Sequence, residues 1–228
     1  MWKIKKIPVS QNFRKEYFIF AIGGCILSSG HPPVAIPYIM VFVLASIGSY
    51  WYSNKPSSQE SFFYGWFFGF GYFFFSLVWI IEPFLVRPNE TGILAPFALI
   101  FLTASMSIFW GIAFWITAQK NNYRNKFVSL FKLAACLSLA ELARSYLFTG
   151  FPWVIFGVAF VETPLGQSLS LFGPYWLTAM IILFSFLSII GLKGLLVAIM
   201  GFFLFFFYGE SRIENNEQFE PSVKVRIV

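Results

Sequence analysis

Residues 62–86 read Phe62-Phe-Tyr-Gly65-Trp-Phe-Phe-Gly69-Phe-Gly71-Tyr-Phe-Phe-Phe-Ser-Leu-Val-Trp79-Ile-Ile-Glu82-Pro-Phe-Leu-Val86, an apolar run interrupted by one charge, Glu82. A hydrocarbon core about 30 Å thick takes roughly 20 apolar residues of helix, so this run can cross a membrane. Gly65 and Gly69 lie among bulky rings at the small-xxx-small spacing that lets a second helix approach closely, which favours a packing role for them. The rest of the chain has the same character. Its 228 residues are 58% hydrophobic and 11% charged, too few polar groups to cover the surface of a water-soluble domain. The formal charge of +6 does not point to nucleic acid, because the basic residues form short clusters between apolar runs and no extended stripe.

Working outward from this run, the spans are expected at Tyr17–Ser29, Val34–Trp51, Phe62–Val86, Gly92–Ala118, Phe127–Phe148, Ser168–Ile190 and Leu192–Tyr208. The reading is an all-α polytopic membrane protein, a bundle of about seven transmembrane helices. His31, Pro32 and Pro33 follow a short first span and suggest a tight hairpin, with His31 as a turn residue. Residues 1–16 form a basic N-terminus, 17–208 the bundle and 209–228 a tail. Lys3, Lys5, Lys6, Arg14 and Lys15 place the N-terminus in the cytoplasm, and Lys55, Lys120, Arg124, Lys126 and Lys193 agree. The opposite loops carry mostly acids, Glu82 and Glu90 beside a single Arg87, then Glu162 and, after the last span, Glu210, Glu214, Glu217 and Glu220, so seven spans leave the C-terminus outside. A cleaved signal peptide with a processing box at Ile22-Gly23-Gly24-Cys25 is the rival reading, but losing the first span spoils the charge pattern of every later loop.

Charge inside a span is expensive and by default functional. Glu141 and Arg144 stand at i and i+3 near the outer end of the fifth span, placed to pair on one helical face. Two roles stay open for them, a clamp between helices and a substrate contact. Lys132 reads as a snorkelling side chain. Next comes Thr149-Gly150-Phe151-Pro152-Trp153, an apolar stretch to Phe160, then Glu162-Thr163-Pro164-Leu165-Gly166. This piece is too short to span and is bounded by Gly and Pro, which suits a re-entrant or interfacial segment on the outer face walling a cavity. A plain Trp-Pro interfacial anchor is the alternative. Cys25 and Cys136 sit in apolar runs without metal-ligand spacing, and are expected to be unpaired thiols. No nucleophile, base and orienter stand together, and no cofactor or metal is called for.

At these residues a family becomes recognisable. Glu141-Leu-Ala-Arg144, Thr149-Gly-Phe-Pro-Trp153, Gly157, Pro164-Leu165 and Gly173 resemble the signature of apolipoprotein N-acyltransferases. Ser28-Ser-Gly-His-Pro-Pro-Val-Ala-Ile-Pro37 is similar to that family's first turn, without the usual aromatic after the proline, and Gly69–Trp79 resembles its third span. The resemblance implies a multi-pass bacterial inner-membrane enzyme that moves an acyl chain from a phospholipid to the diacylglyceryl-cysteine of an apolipoprotein. It also implies a periplasmic nitrilase-like domain with a Glu-Lys-Cys triad after the seventh span. Val223-Lys-Val-Arg-Ile-Val228 alternates as that domain's first strand would, or is a frayed tail.

The expectation is therefore the membrane part of such an enzyme, truncated or split and inactive alone. Its partners would be membrane phospholipid, apolipoprotein and a separate polypeptide carrying the triad, with no nucleic acid. Glu141, Arg144, Thr149, Phe151, Pro152 and Trp153 are the candidate lipid or substrate residues, and no residue here is read as catalytic. A non-enzymatic lipid-binding or scaffold protein is the alternative. A transporter fits less well, since intramembrane charge is sparse.

Overall fold

The computed structural model describes residues 12–119, 123, 125–147 and 150–216. Among them seven long helices form: α1 Asn12–Ser28, α2 Ile39–Asn54, α3 Ser58–Ser76, α4 Ala95–Ala118, α5 Lys126–Tyr146, α6 Leu169–Leu187 and α7 Leu192–Asn216. Helix ends are set by side chains where the sequence supplies them. Ser57 and Glu60 make a reciprocal capping box at the start of α3, and the Asn125 side chain accepts from the Val128 N–H at the start of α5.

Six helices pack in a closed ring, α1 on α3, α3 on α4, α4 on α5, α5 on α6, α6 on α2 and α2 back on α1. The seventh, α7, lies outside against α6 and the 3₁₀ turn Pro164–Ser168. Helix α3 is held on two sides by backbone approach. A Cβ on Gly71 would stand 2.1 Å from the Ala21 carbonyl of α1, and one on Gly65 would stand 2.5 Å from the Trp110 carbonyl of α4. Side chains there would force the helices apart, and a Cβ on Gly69 would stand 3.2 Å from the Ser107 Cα of α4, so the Gly65/Gly69 spacing read in the sequence serves packing. The ring interior is filled with Phe20, Trp51, Phe68, Trp110, Phe114, Leu133 and Leu137.

Among the described residues the regular structure is all helical, and many large apolar side chains are exposed, a surface suited to lipid. Three segments are long and apolar enough to cross a membrane, Pro88–Ala118, Pro164–Leu187 and Leu192–Glu214. A bent pair, Ser58–Ser76 with Val78–Leu85, makes a fourth if it is one span. Helices α1 and α2 have 17 and 16 residues, roughly 25 Å of helix against a core of about 30 Å. In α5 the obstacle is charge, since Lys126, Lys132, Glu141 and Arg144 fall within its 21 residues.

Two boundaries differ from the sequence reading. The apolar run 62–86 is not one straight helix: α3 stops at Ser76 and the next turns bend away by 60°. Pro83 lacks an N–H and would crowd the Trp79 carbonyl in a continuous helix, so the chain goes on in short turns, Val78–Ile81, Glu82–Leu85, Pro88–Thr91 and Gly92–Leu94. At the other end α7 does not stop at Tyr208 but runs to Asn216. Arg212 donates back to the hydroxyls of Tyr208 and Ser170, and Gly209 lets the helix press on Pro164, whose oxygen lies 1.8 Å from where a Cβ would be. Residues 223–228, read as a strand or a tail, lie outside the described residues.

Candidate functional site

At the end of the ring where α5 finishes, the chain between α5 and α6 has no long helix. It passes through a four-residue turn, Phe156–Ala159, and the 3₁₀ turn Pro164–Ser168. Ile155 and Phe156 are buried, and the Phe156 ring meets Tyr72 at 5.3 Å and Trp110 at 5.6 Å, so the segment closes the mouth of the bundle. Thr178 of α6 fixes its far side by accepting from the Gly157 N–H at 2.9 Å while donating to the Pro174 carbonyl. That carbonyl lies just past Gly173, where α6 is broken by a φ of 79°.

From beneath, the segment is held by charge. Arg144 and Glu141, 1% and 0% exposed, meet through Nη2 and Oε2 at 2.7 Å. Glu141 also accepts from the Trp110 indole N–H at 2.7 Å. Arg144 turns its other end to the segment after α5, Nη1 donating to the Phe151 carbonyl at 2.7 Å and the Trp153 carbonyl at 2.9 Å. Its guanidinium also stands 5.0 Å from the Phe73 ring centre, a cation–π contact. Charges this deep are tolerable only when they are well partnered, and here all three guanidinium nitrogens and both carboxylate oxygens are engaged.

A second hold acts one residue further on. The Tyr72 hydroxyl of α3 donates to the Val154 carbonyl at 2.5 Å and lies 2.7 Å from His31 Nε2. Val154 needs that hold, because its φ is 52°. The left-handed region is a poor one for a β-branched side chain, costing on the order of 1–3 kcal/mol, about what two net hydrogen bonds return. Trp153 is thereby turned outward. Its ring is 54% exposed and meets Trp79, 45% exposed, at 5.2 Å. Beside this end an apolar groove of about 670 Å³ runs along α4 past Phe101, Met106 and Ile112 to Leu147. It continues between α4 and α5 as a groove of about 310 Å³ that reaches Cys136 and Leu139.

The residues singled out in the sequence thus divide. Glu141 and Arg144 are internal and paired, holding the segment from below, whereas Pro152 and Trp153 face outward and Phe151 is half-buried. Thr149 lies outside the described residues. Cys25 and Cys136 are free thiols, each half-buried in its helix. Sequence reasoning passed over Tyr72 and Trp110, and it took His31 for a turn residue only. Their signal was one polar atom on a ring inside an apolar element, since buried Tyr and Trp usually find a partner for it. What this arrangement does is chemical only indirectly: it sets the backbone of 151–154 and leaves an aromatic pair exposed at this end of the bundle.

Against known families, residues 23–187 match the model described as apolipoprotein N-acyltransferase N-terminal domain. Proteins named apolipoprotein N-acyltransferase are similar to the chain. The one from Rhodopseudomonas palustris is 38% identical over 115 residues, 50% of this chain and 21% of that protein. The one from Allorhizobium ampelinum is 30% identical over 177 residues, 75% of this chain and 33% of that protein. The one from Agrobacterium fabrum is 32% identical over 172 residues, 72% of this chain and 32% of that protein. The chain therefore spans about a third or less of the length of these relatives.

Proposed function

Because the chain belongs to the apolipoprotein N-acyltransferase family, we propose that residues 1–228 supply the membrane-embedded part of phospholipid-to-lipoprotein N-acyl transfer in a bacterial inner membrane. The observation that carries this reading is the clamp of Glu141 and Arg144 on the Phe151 and Trp153 carbonyls. Replacing a buried ion pair by apolar residues is often neutral or stabilising, so we read this one as serving to hold the surface segment in one shape. In this reading an acyl chain of the donor phospholipid lies in the groove along α4 and α5, which reaches Leu147 at the end of α5, and the exposed Trp153–Trp79 pair at that end of the bundle sits at the headgroup level, where Trp rings are favoured.

All seven helices cross the bilayer, α1 entering from the cytoplasm and α7 leaving on the outer side, with the 150–168 segment facing outward. The covalent step belongs to a nitrilase-like domain carrying the Glu-Lys-Cys triad, acting with these residues either in the same polypeptide or as a separate one, so residues 1–228 are inactive without it. The test is reconstitution of residues 1–228 in lipid nanodiscs with a diacylated lipopeptide. Bound phospholipid with no thioester and no triacylated product is expected. Triacylated product that persists when Cys25 and Cys136 are both changed to Ser would overturn the reading, since another nucleophile would then lie within these residues. Failure to retain phospholipid would overturn the groove assignment.

A further inference from the structure

We propose that His31, acting through the Tyr72 hydroxyl, is a positioning residue for the outer segment that bears Trp153, and that it acts as the neutral imidazole. The use made of the ordered segment rests on the acyl-transfer reading. The geometry of the hold does not.

Successive carbonyls of the segment are drawn to different helices, Trp153 to Arg144 on α5 and Val154 to Tyr72 on α3. Between them the backbone of Val154 is left-handed, a conformation the residue does not choose by itself. The Tyr72 hydroxyl has one proton and two polar neighbours, the Val154 carbonyl and His31 Nε2. A carbonyl can only accept, so the tyrosine proton goes to Val154, and Nε2 must carry a hydrogen that it donates to the tyrosine oxygen. This assigns the Nε2–H tautomer and makes His31 the group that aims the Tyr72 proton. His31 itself is fixed in the turn after α1, its N–H on the Ser28 carbonyl and its carbonyl accepting from Ala35.

Among the described residues the charged and titratable groups around the imidazole are few. Tyr72 faces it from α3, and from α5 comes the charge of Arg144, with Glu141 already engaged by that guanidinium. At the start of α2, Tyr38 turns its ring to Phe160. Residues 150–155 contain no ionisable side chain. The turn residues 32–36 are exposed but His31 itself is buried, so a second proton would place a cation out of water beside a guanidinium whose one carboxylate is taken. Burial, and then Arg144, hold the His31 pKa down to about 4. With the folded value below the ordinary 6.5, the hold is complete above pH 6.5 and is lost progressively as pH falls toward 4.

Hydrogen–deuterium exchange of the chain in nanodiscs, corrected for intrinsic rates, tests this at about pH 7.5 and about pH 5. Tyr72→Phe should lower the protection of peptides over 150–157 by about tenfold at both pH values, the loss of one net hydrogen bond. The unchanged protein should lose about tenfold or more between pH 7.5 and pH 5. His31→Gln, whose amide can still donate but cannot titrate, should keep the segment protected at both. Peptides of α4 serve as the fold control. The inference is overturned if, with α4 intact, the unchanged protein is equally protected at both pH values, or if His31→Gln behaves as Tyr72→Phe. None of these readouts involves acyl transfer, so a failed transfer reading and a failed positioning role give different results.

Discussion

Changing Arg144 to Gln removes one member of a pair that is wholly inside the bundle. Glu141 is then left charged with the Trp110 indole as its remaining side-chain donor, and the Phe151 and Trp153 carbonyls lose the guanidinium. Breaking one partner of a buried pair costs about 3–5 kcal/mol, and each carbonyl left without a donor adds about 1–3 kcal/mol where water cannot reach it. Trp153 is half exposed, so water will serve its carbonyl better than that of Phe151, and a total near 5 kcal/mol is expected. Glu141→Gln should cost less, about 3 kcal/mol, because Arg144 keeps both carbonyls and Gln still accepts from Trp110. In the double variant no uncompensated charge remains, so its loss should fall short of the sum by at least about 2 kcal/mol. Equilibrium unfolding in mixed detergent micelles, followed by tryptophan fluorescence, measures all three. Losses that add to within about 0.5 kcal/mol would refute the pairing argument. So would an Arg144→Gln that is milder than Glu141→Gln, because the two carbonyls would then contribute nothing.

Gly71→Ala should destabilise the protein by about 1–3 kcal/mol or more, since its Cβ would fall 2.1 Å from the Ala21 carbonyl, whereas Gly92→Ala, with nothing nearer than 3.7 Å, should stay within about 0.5 kcal/mol in the same unfolding assay. Trp110→Phe keeps a ring in the core but takes the N–H from Glu141, and a loss of about 1.5–3 kcal/mol is expected, falling to about 0.5–1.5 kcal/mol when Glu141 and Arg144 are both already Gln, because a neutral amide still accepts the indole N–H but more weakly than a carboxylate. Reporter fusions after Lys15 and after Glu220 should report opposite sides of the membrane, and both ends on one side would rule out seven crossings.

Composition and run length determined the solvent of this protein. Apolar residues in stretches such as 62–86 and 92–118 leave no water-soluble arrangement, and Gly65 and Gly69 on one helical face announced a close helix crossing. The i,i+3 spacing likewise placed Glu141 and Arg144 together, because a single helix fixes that geometry locally. Tertiary structure alone decided what the pair is for. Its two carbonyl partners lie on an irregular segment whose path no periodicity encodes, and Trp110 comes from another helix. Run length also misled where backbone chemistry intervened, at the bend after Ser76, and where polar residues continued a helix, beyond Tyr208 in α7. His31 shows the limit most plainly. Its place in a proline turn was legible because prolines act on their own neighbours, but its partner, Tyr72, lies 41 residues away and meets it only because α1 and α3 are pressed together at Gly24 and Gly71. Local sequence determines local geometry; which buried polar atoms meet depends on how the helices close the ring.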